Sequence, residues 1–313
     1  MLLLAAAGTA SAVEDPRPTV DDMLVMSMRP EGRRVAVIRI AGDGTGDYTT
    51  FKAAVAAGAA AQSAALTAAG LTAGQVTPNF RVDYLVGPGV YTSAPGDWSG
   101  VIHPFAAFYA TDTTPGATVL RWGVEPDGGL YWEGIDIVNV DNAGAFDPKY
   151  PIHLHADATS IITRCTLTNE AASSGGYPTP LGVDGDRRAT LVVHDVTMTT
   201  GVYTNIHGPT GTLTPGMVTV FSDCTFTGGD LHWWALDDTD PSEMWAVGST
   251  AHGVKMLGAA TVLHSDPGNT LAVAPVHVAT GGGALTTGTT DTRTDWPVPV
   301  GALSAGDRAR YGM

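Results

Sequence analysis

A pattern of alternating apolar and polar residues recurs at a nearly constant interval in the middle of the chain. Four segments share it, residues 131–137, 161–167, 192–198 and 220–226, and a weaker fifth copy covers residues 250–256. Their central apolar positions are Ile135, Cys165, Val196, Cys224 and Val254, separated by 30, 31, 28 and 30 residues. Alternation with a period of two is typical of β-strands, and a repeat of about 30 residues fits one rung of a solenoid. The pattern predicts an all-β fold, a right-handed parallel β-helix.

The alternation also predicts which residues stack inside the coil. Three core columns are expected: Tyr131/Ile161/Val192/Val220, Ile135/Cys165/Val196/Cys224 and Ile137/Leu167/Met198/Phe226. Thr166, Thr197 and Thr225 follow the central column as polar residues between core positions. Equivalent residues of adjacent rungs lie roughly 4.8 Å apart, so the two cysteines, two rungs apart, are separated by roughly 9–10 Å. That exceeds the reach of a disulfide, which predicts two buried free thiols.

The segments on either side of the repeats divide the chain into three parts. We expect an N-terminal segment over residues 1–40, a β-helix over residues 41–265 and a C-terminal linker and strap over residues 266–313. An Ala-rich stretch with Thr at its start predicts a capping helix at about residues 50–69. The first twelve residues resemble the end of a signal peptide but lack its positive region, so an ordinary N-terminal segment stays an alternative.

Composition and charge exclude several kinds of partner. The 313 residues carry 16 basic and 31 acidic side chains, a formal net charge of −15. Such a surface repels phosphate backbones and anionic membrane surfaces, so we expect no nucleic acid partner. No stretch of the sequence is long enough to span a membrane, so no membrane insertion is expected. The sequence has no Cys/His spacing typical of a zinc site, and no metal or other cofactor is expected.

The run from Ile40 through Gly-Asp-Tyr-Thr-Thr to Phe51, followed by Val86-Gly-Pro-Gly-Val-Tyr91, resembles the opening of pectin-lyase-like β-helices, notably pectin methylesterases. The resemblance implies the fold but not the esterase activity, because the paired aspartate elements of that family are missing. The only glutamines, Gln62 and Gln75, lie in the expected cap region. Residues 150–155 and 303–312 are similar to tail spike and minor tail proteins of phages, which implies a virion location and a homo-oligomer, with a trimer expected.

Two groups of residues are candidates for chemistry or binding. If Leu154, Val183 and Ile206 point inward, the residues that follow them form an outward column of His155, Asp184 and His207. Imidazole and carboxylate at rung spacing are suited to acid/base catalysis or to holding a divalent metal, and a solvated polar face is the alternative. Trp233 and Trp234, beside Asp237 and Asp238, are suited to stacking on sugar rings, and packing in the core is the alternative. His194, in a column with Glu133, Thr163 and Ser222, is interpreted as part of a polar turn.

These features together predict a phage tail-associated protein that is structural and recognises glycans on the host surface. Its partners would be bacterial cell-surface polysaccharide and other virion tail proteins. The alternative is a secreted carbohydrate-active enzyme of the pectin-lyase-like class, a lyase, esterase or hydrolase. A purely structural tail component that binds only virion proteins is a third possibility.

Overall fold

The computed structural model of the protein describes thirteen stretches of the chain: residues 32–93, 97–140, 150–154, 159–170, 179–183, 190–200, 218–227, 231–234, 243–257, 262–265, 268–274, 276–278 and 289–292. Some strand residues are described by their backbone alone: residues 190, 200, 218, 231–234, 243, 255–257, 262, 276–278 and 289–292.

Nearly all of the described regular structure is β-strand. The helix α1 is Phe51–Ala68, and two short 3-10 turns follow it at Ala73–Gln75 and Pro78–Phe80. The strands in chain order are β1 Arg34–Ile40, β2 Arg81–Val86, β3 Gly89–Thr92, β4 Val101–Ile102, β5 Ala106–Ala110, β6 Thr118–Arg121, β7 Glu125–Pro126, β8 Leu130–Glu133, β9 Asp136–Asn139, β10 Ile152–Leu154, β11 Ser160–Asn169, β12 Leu181–Val183, β13 Thr190–Thr200, β14 Val218–Ser222, β15 Thr225–Thr227, β16 Leu231–Trp234, β17 Glu243–Val247, β18 Thr250–Ala251, β19 Val254–Leu257, β20 Val262–Ser265, β21 Thr270–Leu271, β22 Val276–Val278 and β23 Thr289–Thr292.

All of these strands pair in parallel with strands of the preceding or following rung, which makes the fold a parallel β-helix. The first sheet runs β1-β2-β5-β8-β11-β13-β14-β17-β20-β23. The second sheet contains β3, β6, β9, β15, β18 and β21 together with the C-terminal halves of β11 and β13, which continue into it around a bend. Shorter parallel sheets, β4-β7, β10-β12 and β16-β19-β22, complete the rungs.

The predicted central column is confirmed. Cys165 pairs with Val196, and the neighbouring pairs Leu167–Ile137 and Thr197–Thr225 place Ile135 and Cys224 in the same stack. All four are buried in one apolar cluster that also holds residues of the shorter sheets and of α1, which identifies it as the lumen of the coil. Both cysteines are free and buried, as predicted. Burial raises the pKa of both thiols, that of Cys224 to about 12.

The column Tyr131/Ile161/Val192/Val220 stacks in register, but the prediction that it lines the lumen is wrong. The inward positions of the first sheet are one residue later, at Trp132, Ile162, Val193 and Phe221. The cause is a bend residue with a left-handed backbone between the two sheets. In successive rungs it is Gly134, Arg164, Asp195, Asp223 and Gly248, with φ between 53° and 72°. Because this residue interrupts the strict alternation, inward positions on its two sides are three residues apart instead of two.

The fifth rung also differs from its predicted register. Thr225 pairs with Thr250, so the residue that stacks on Cys224 is Ser249, whose Oγ accepts a hydrogen bond from the Cys224 N–H at 3.1 Å. Val254 lies instead in β19, paired with Leu231 of β16. This rung is shorter than the others, so a constant period overshoots it.

The capping helix is confirmed at one end of the coil. Thr50 is its N-cap, with Oγ1 accepting a hydrogen bond from the Ala53 N–H. Phe51 and Val55 are buried in the lumen cluster, where the Phe51 ring stacks on Phe108. The Gln62 amide donates to the carbonyls of Phe80 and Pro104, which ties the helix to the first rungs.

Within the part of the chain that the structure describes, no helix has the length and apolar character needed to cross a membrane.

Candidate functional site

The residues proposed from the sequence for catalysis lie outside the described part of the chain. They are His155, Asp184 and His207. The premise for two of them is confirmed, because Leu154 pairs with Val183 and both side chains are buried in the lumen cluster. Asp237 and Asp238 also lie outside the described residues. The backbones of Trp233 and Trp234 pair with Met256 and Leu257, whereas their side chains are not described.

The outward face of the first sheet carries a polar column along the bend. Its members, one per rung, are Tyr109, Glu133, Thr163, His194 and Ser222, which pair in register. Sequence reasoning identified four of them and interpreted them as a turn. In the structure the Glu133 side chain is only 2% exposed and that of His194 14%. A buried carboxylate needs partners, so this column is the first place to look for chemistry.

The charged groups of this face are paired locally. The Glu133 carboxylate forms an ion pair with the Arg164 guanidinium and accepts a hydrogen bond from Tyr131 Oη at 2.7 Å. One rung spacing further along, His194 Nδ1 lies 3.6 Å from Asp223 Oδ2. Arg164 and Asp223 are both bend residues, so the left-handed backbone directs their side chains across the outward face.

A second buried ion pair lies nearer the capped end. Arg81 Nε lies 2.6 Å from Asp83 Oδ1, and Arg81 also donates to the Gly32 carbonyl at 2.8 Å. Burial raises the pKa of the Asp83 carboxyl, against the opposing attraction of the Arg81 guanidinium. A shallow cleft between Arg81, Phe105, Tyr131 and Thr159 adjoins this pair.

These groups together have the residue types of an acid/base site, but their burial argues for a structural role. Tyr131 and Glu133 are enclosed, so a polymeric substrate would not reach the carboxylate without displacing whatever covers it. A buried network such as that of Tyr131, Glu133 and Arg164 holds neighbouring rungs in register. A ligand needs a more exposed surface than this one.

The outward face of the second sheet is open and consists largely of threonine. In one column the pairs Thr166–Thr197, Thr197–Thr225, Thr225–Thr250 and Thr250–Thr270 follow one another without interruption. A parallel column two residues further along holds Thr168, Thr199 and Thr227. We call these eight residues the threonine face. Its members are half-buried or exposed, and the inward neighbours Leu167, Met198 and Phe226 anchor the strands in the lumen.

The geometry of the threonine face is regular in two directions. Its hydroxyls repeat at roughly 4.8 Å between rungs and at roughly 6.6 Å along a strand. The Thr199 and Thr227 hydroxyls lie 2.8 Å apart and share a hydrogen bond, and Thr227 Oγ1 also lies 3.2 Å from the Met198 carbonyl. Asp136 lies at the end of the first column and accepts hydrogen bonds from the Gly116 and Thr166 N–H groups. Between this carboxylate and Thr270, the described outward positions of the two columns carry no Asp, Glu, Lys or Arg.

No arrangement for a metal ion is found in the described part of the chain, where three or more His, Cys, Asp or Glu side chains do not come together. Comparisons with protein-family models, with curated proteins and with solved structures found no match for this chain. The strand register therefore establishes the fold on its own, and the function is inferred from the surfaces just described.

Sequence reasoning found part of the threonine face and missed its extent. Thr166, Thr197 and Thr225 were identified as polar residues after the central column. The second column has the same signal, a threonine two residues later in three consecutive repeats. Thr250 and Thr270 were missed because the fifth rung is shorter than the assumed period.

Proposed function

We propose that the protein is a phage tail-associated β-helix that is structural and recognises glycans of the host surface, with the threonine face as the glycan-binding surface. The observation that carries this proposal is the uninterrupted ladder of threonines, half-buried to exposed, on the outward face of the second sheet. A hydroxyl both donates and accepts hydrogen bonds, as sugar hydroxyls do, and the regular repeat suits an extended polymer. The methyl groups of threonine add apolar contacts to the less polar faces of sugar rings.

The charge of the chain narrows the class of glycan. With a net charge of −15 the surface disfavours anionic polysaccharides, and the threonine face offers no arginine or lysine to compensate. A neutral polymer of the bacterial cell surface is therefore the proposed ligand.

The test compares two double variants of the threonine face for binding to neutral cell-wall polysaccharide of candidate host bacteria. Thr197→Val with Thr199→Val removes two hydroxyls but keeps the side-chain shape and the strand preference. Thr197→Ser with Thr199→Ser keeps the hydroxyls and is the matched control. Each lost hydrogen bond to the ligand is worth about 0.5–1.5 kcal/mol, so the Val variant should bind roughly 5- to 100-fold more weakly.

Two outcomes would overturn the glycan proposal. One is equal binding by the Val and Ser variants, and the other is the absence of binding to any host polysaccharide. Release of oligosaccharide fragments during the incubation would favour the alternative, a secreted carbohydrate-active enzyme, lyase, esterase or hydrolase.

The phage assignment rests on the likeness of residues 150–155 and 303–312 to tail proteins, and it implies other virion tail proteins as partners. The genes next to its own test this directly, because tail assembly genes support a virion location. A homo-oligomer is expected on the same grounds, with a trimer as the expected state. Light scattering of the purified chain measures it, and a monomer would contradict this expectation.

A further inference from the structure

The threonine face is a narrow strip that runs along the axis of the coil. Its first column holds one threonine in each of five consecutive rungs, from Thr166 to Thr270. Four rung spacings separate the two ends, which is roughly 19 Å. In the direction of the strands the face is only two columns wide, and the step from Thr197 to Thr199 covers roughly 6.6 Å. The strip is therefore about three times longer than it is wide.

Charged side chains border this strip on the side of the bend. Arg164, Asp195 and Asp223 each lie two residues before a threonine of the first column, one in each of three consecutive rungs. Asp195 is exposed, and the side chain of Asp223 is 54% exposed. A neutral chain that ran along the strands would leave the threonines after one short step and displace water from these charges, which costs free energy. A chain parallel to the coil axis stays on the hydroxyls.

Charged groups also mark the end of the strip that lies nearer the capping helix. Asp136 occupies the first column one rung before Thr166, as the neighbouring pair Ile137–Leu167 shows. Arg121 lies in register with the second column two rungs before Thr168, and its guanidinium is 3.6 Å from the Glu170 carboxylate. The neutral surface that a polymer can use therefore has the length of the first column.

The two columns differ in the hydrogen bonds that their hydroxyls can offer. Thr227 Oγ1 donates to the Met198 carbonyl at 3.2 Å, and it lies 2.8 Å from Thr199 Oγ1. With the Thr227 proton used in this way, the Thr199 hydroxyl donates to Thr227, and both keep only lone pairs for a ligand. Among the described residues, the hydroxyls of the first column have no such partner, so each of them can donate and accept. The first column is therefore the richer source of hydrogen bonds.

On the basis of the glycan-binding function proposed above, on which this inference rests, we propose that the ligand is a linear, unbranched neutral polysaccharide. It lies parallel to the coil axis, along the first column. One chain fills the strip, because a second has no room beside it on a surface two columns wide. Each rung adds one threonine hydroxyl in an equivalent position, so affinity increases with the length of the bound chain. Inward neighbours such as Leu167 and Met198 fix the strands in the lumen, so binding requires little reorganisation.

The first test measures how affinity depends on chain length, by isothermal titration calorimetry with the full-length protein. The probes are linear oligosaccharides of two to eight sugars, and a branched one of eight sugars, prepared from the neutral cell-wall polysaccharide of candidate host bacteria. Affinity should rise with length until the probe covers the roughly 19 Å of the first column and then stay constant, with one molecule bound per protein chain. The branched probe should bind about tenfold or more weakly than the linear probe of the same size, because it reaches fewer rungs.

The second test uses variants at exposed or half-buried positions of the strip. Thr250→Val removes a hydroxyl near one end, and Thr250→Ser, which keeps it, is the matched control. The Val variant should bind the longest linear probe about 2- to 12-fold more weakly, whereas the two-sugar probe, which still has the other rungs, should bind as before. On a single rung, Thr225→Val should weaken binding of the longest probe more than Thr227→Val does, because only Thr225 has a free donor.

Several results would contradict an axial, linear ligand while leaving glycan binding itself intact. They are equal affinity for short and long probes, equal affinity for the linear and branched probes, and more than one bound molecule per chain. Equal binding of the longest probe by the two Thr250 variants, or a loss in Thr227→Val as large as that in Thr225→Val, counts against it in the same way. Absence of binding by every probe contradicts the proposed function together with this inference.

Discussion

Replacement of Asp195, a bend residue, tests whether the left-handed bend determines the shape of the rung. Asp195 has φ 53° and an exposed side chain, and the equivalent positions of other rungs hold Gly134 and Gly248. A left-handed backbone costs an L-residue about 1–2 kcal/mol, less for Asp, whereas glycine adopts it freely but loses about 0.5–1 kcal/mol through its more flexible unfolded state. Asp195→Gly should therefore change the free energy of unfolding by less than about 0.5 kcal/mol in either direction.

The informative comparison is with a β-branched residue at the same position. Asp195→Val places a branched side chain at positive φ and should cost about 1–2 kcal/mol, a fall in Tm of roughly 2–8 °C for a chain of this size. Thr197→Gly, two residues further along in regular strand, is the control for glycine in a strand and should cost about 1 kcal/mol. Thermal melts followed by circular dichroism measure all three. A Val variant as stable as the parent, or a Gly variant as damaging as Thr197→Gly, would refute the bend argument.

Three further predictions follow from buried groups. Gly58→Ala should destabilise the capping helix by about 1–3 kcal/mol, because the added Cβ would clash with Tyr84 Oη. Gly74→Ala, with open space around it, is the control in the same melts. Burial lowers the pKa of His103, so on acidification the unfolded chain takes up this proton before the folded chain does. The free energy of unfolding should therefore be at its full value above about pH 6.5 and fall as the pH drops below it. Urea midpoints measured across this range should show less pH dependence in the His103→Asn variant. Glu133→Ala removes the buried carboxylate that pairs with Arg164 and accepts from Tyr131 Oη, and it should cost about 1–3 kcal/mol in urea unfolding; an unchanged midpoint would contradict a stabilising role for this carboxylate.

Much of the fold could be predicted from the sequence because each rung repeats the same physical problem. A lumen position accepts only an apolar side chain, so Ile135, Cys165, Val196 and Cys224 reveal the repeat and the fate of the two thiols. The capping helix was predictable for the same reason, since Thr50 and the apolar spacing that follows it leave few alternatives.

The inward side of the first sheet could not be predicted from alternation alone. Alternation assumes a regular strand, and nothing in the residue types Arg164, Asp195 or Asp223 identifies a left-handed backbone, which glycine usually marks. Gly134 and Gly248 at equivalent positions carry that signal, but it is visible only once the rungs are aligned in the correct register. The fifth rung was misaligned for a related reason, since a period inferred from longer rungs does not detect a short one.

The threonine face was predictable only in part, because it forms from residues of successive rungs and depends on how those rungs stack. The threonines at positions 166, 197 and 225 were evident as a repeated residue type, but an open hydroxyl face requires knowing that eight of them share one side of one sheet. Glu133 and Arg164 form an ion pair between adjacent rungs, and their separation in the sequence gives no indication of that contact.

The bend also explains why the outward face of the first sheet carries a column of apolar side chains. In these strands every second residue is apolar, both before and after the bend. Because the bend adds one residue, the apolar side chains after it point into the lumen, whereas those before it point outward. The result is an outward column of buried apolar residues that includes Tyr131, Ile161, Val192 and Val220. Burial of four such side chains contributes roughly 6–12 kcal/mol, at about 1.5–3 kcal/mol each. That is comparable to the whole stability of a typical domain, about 5–15 kcal/mol. Burial of this outward column therefore contributes to stability on the scale of the whole fold, alongside the packing of the lumen.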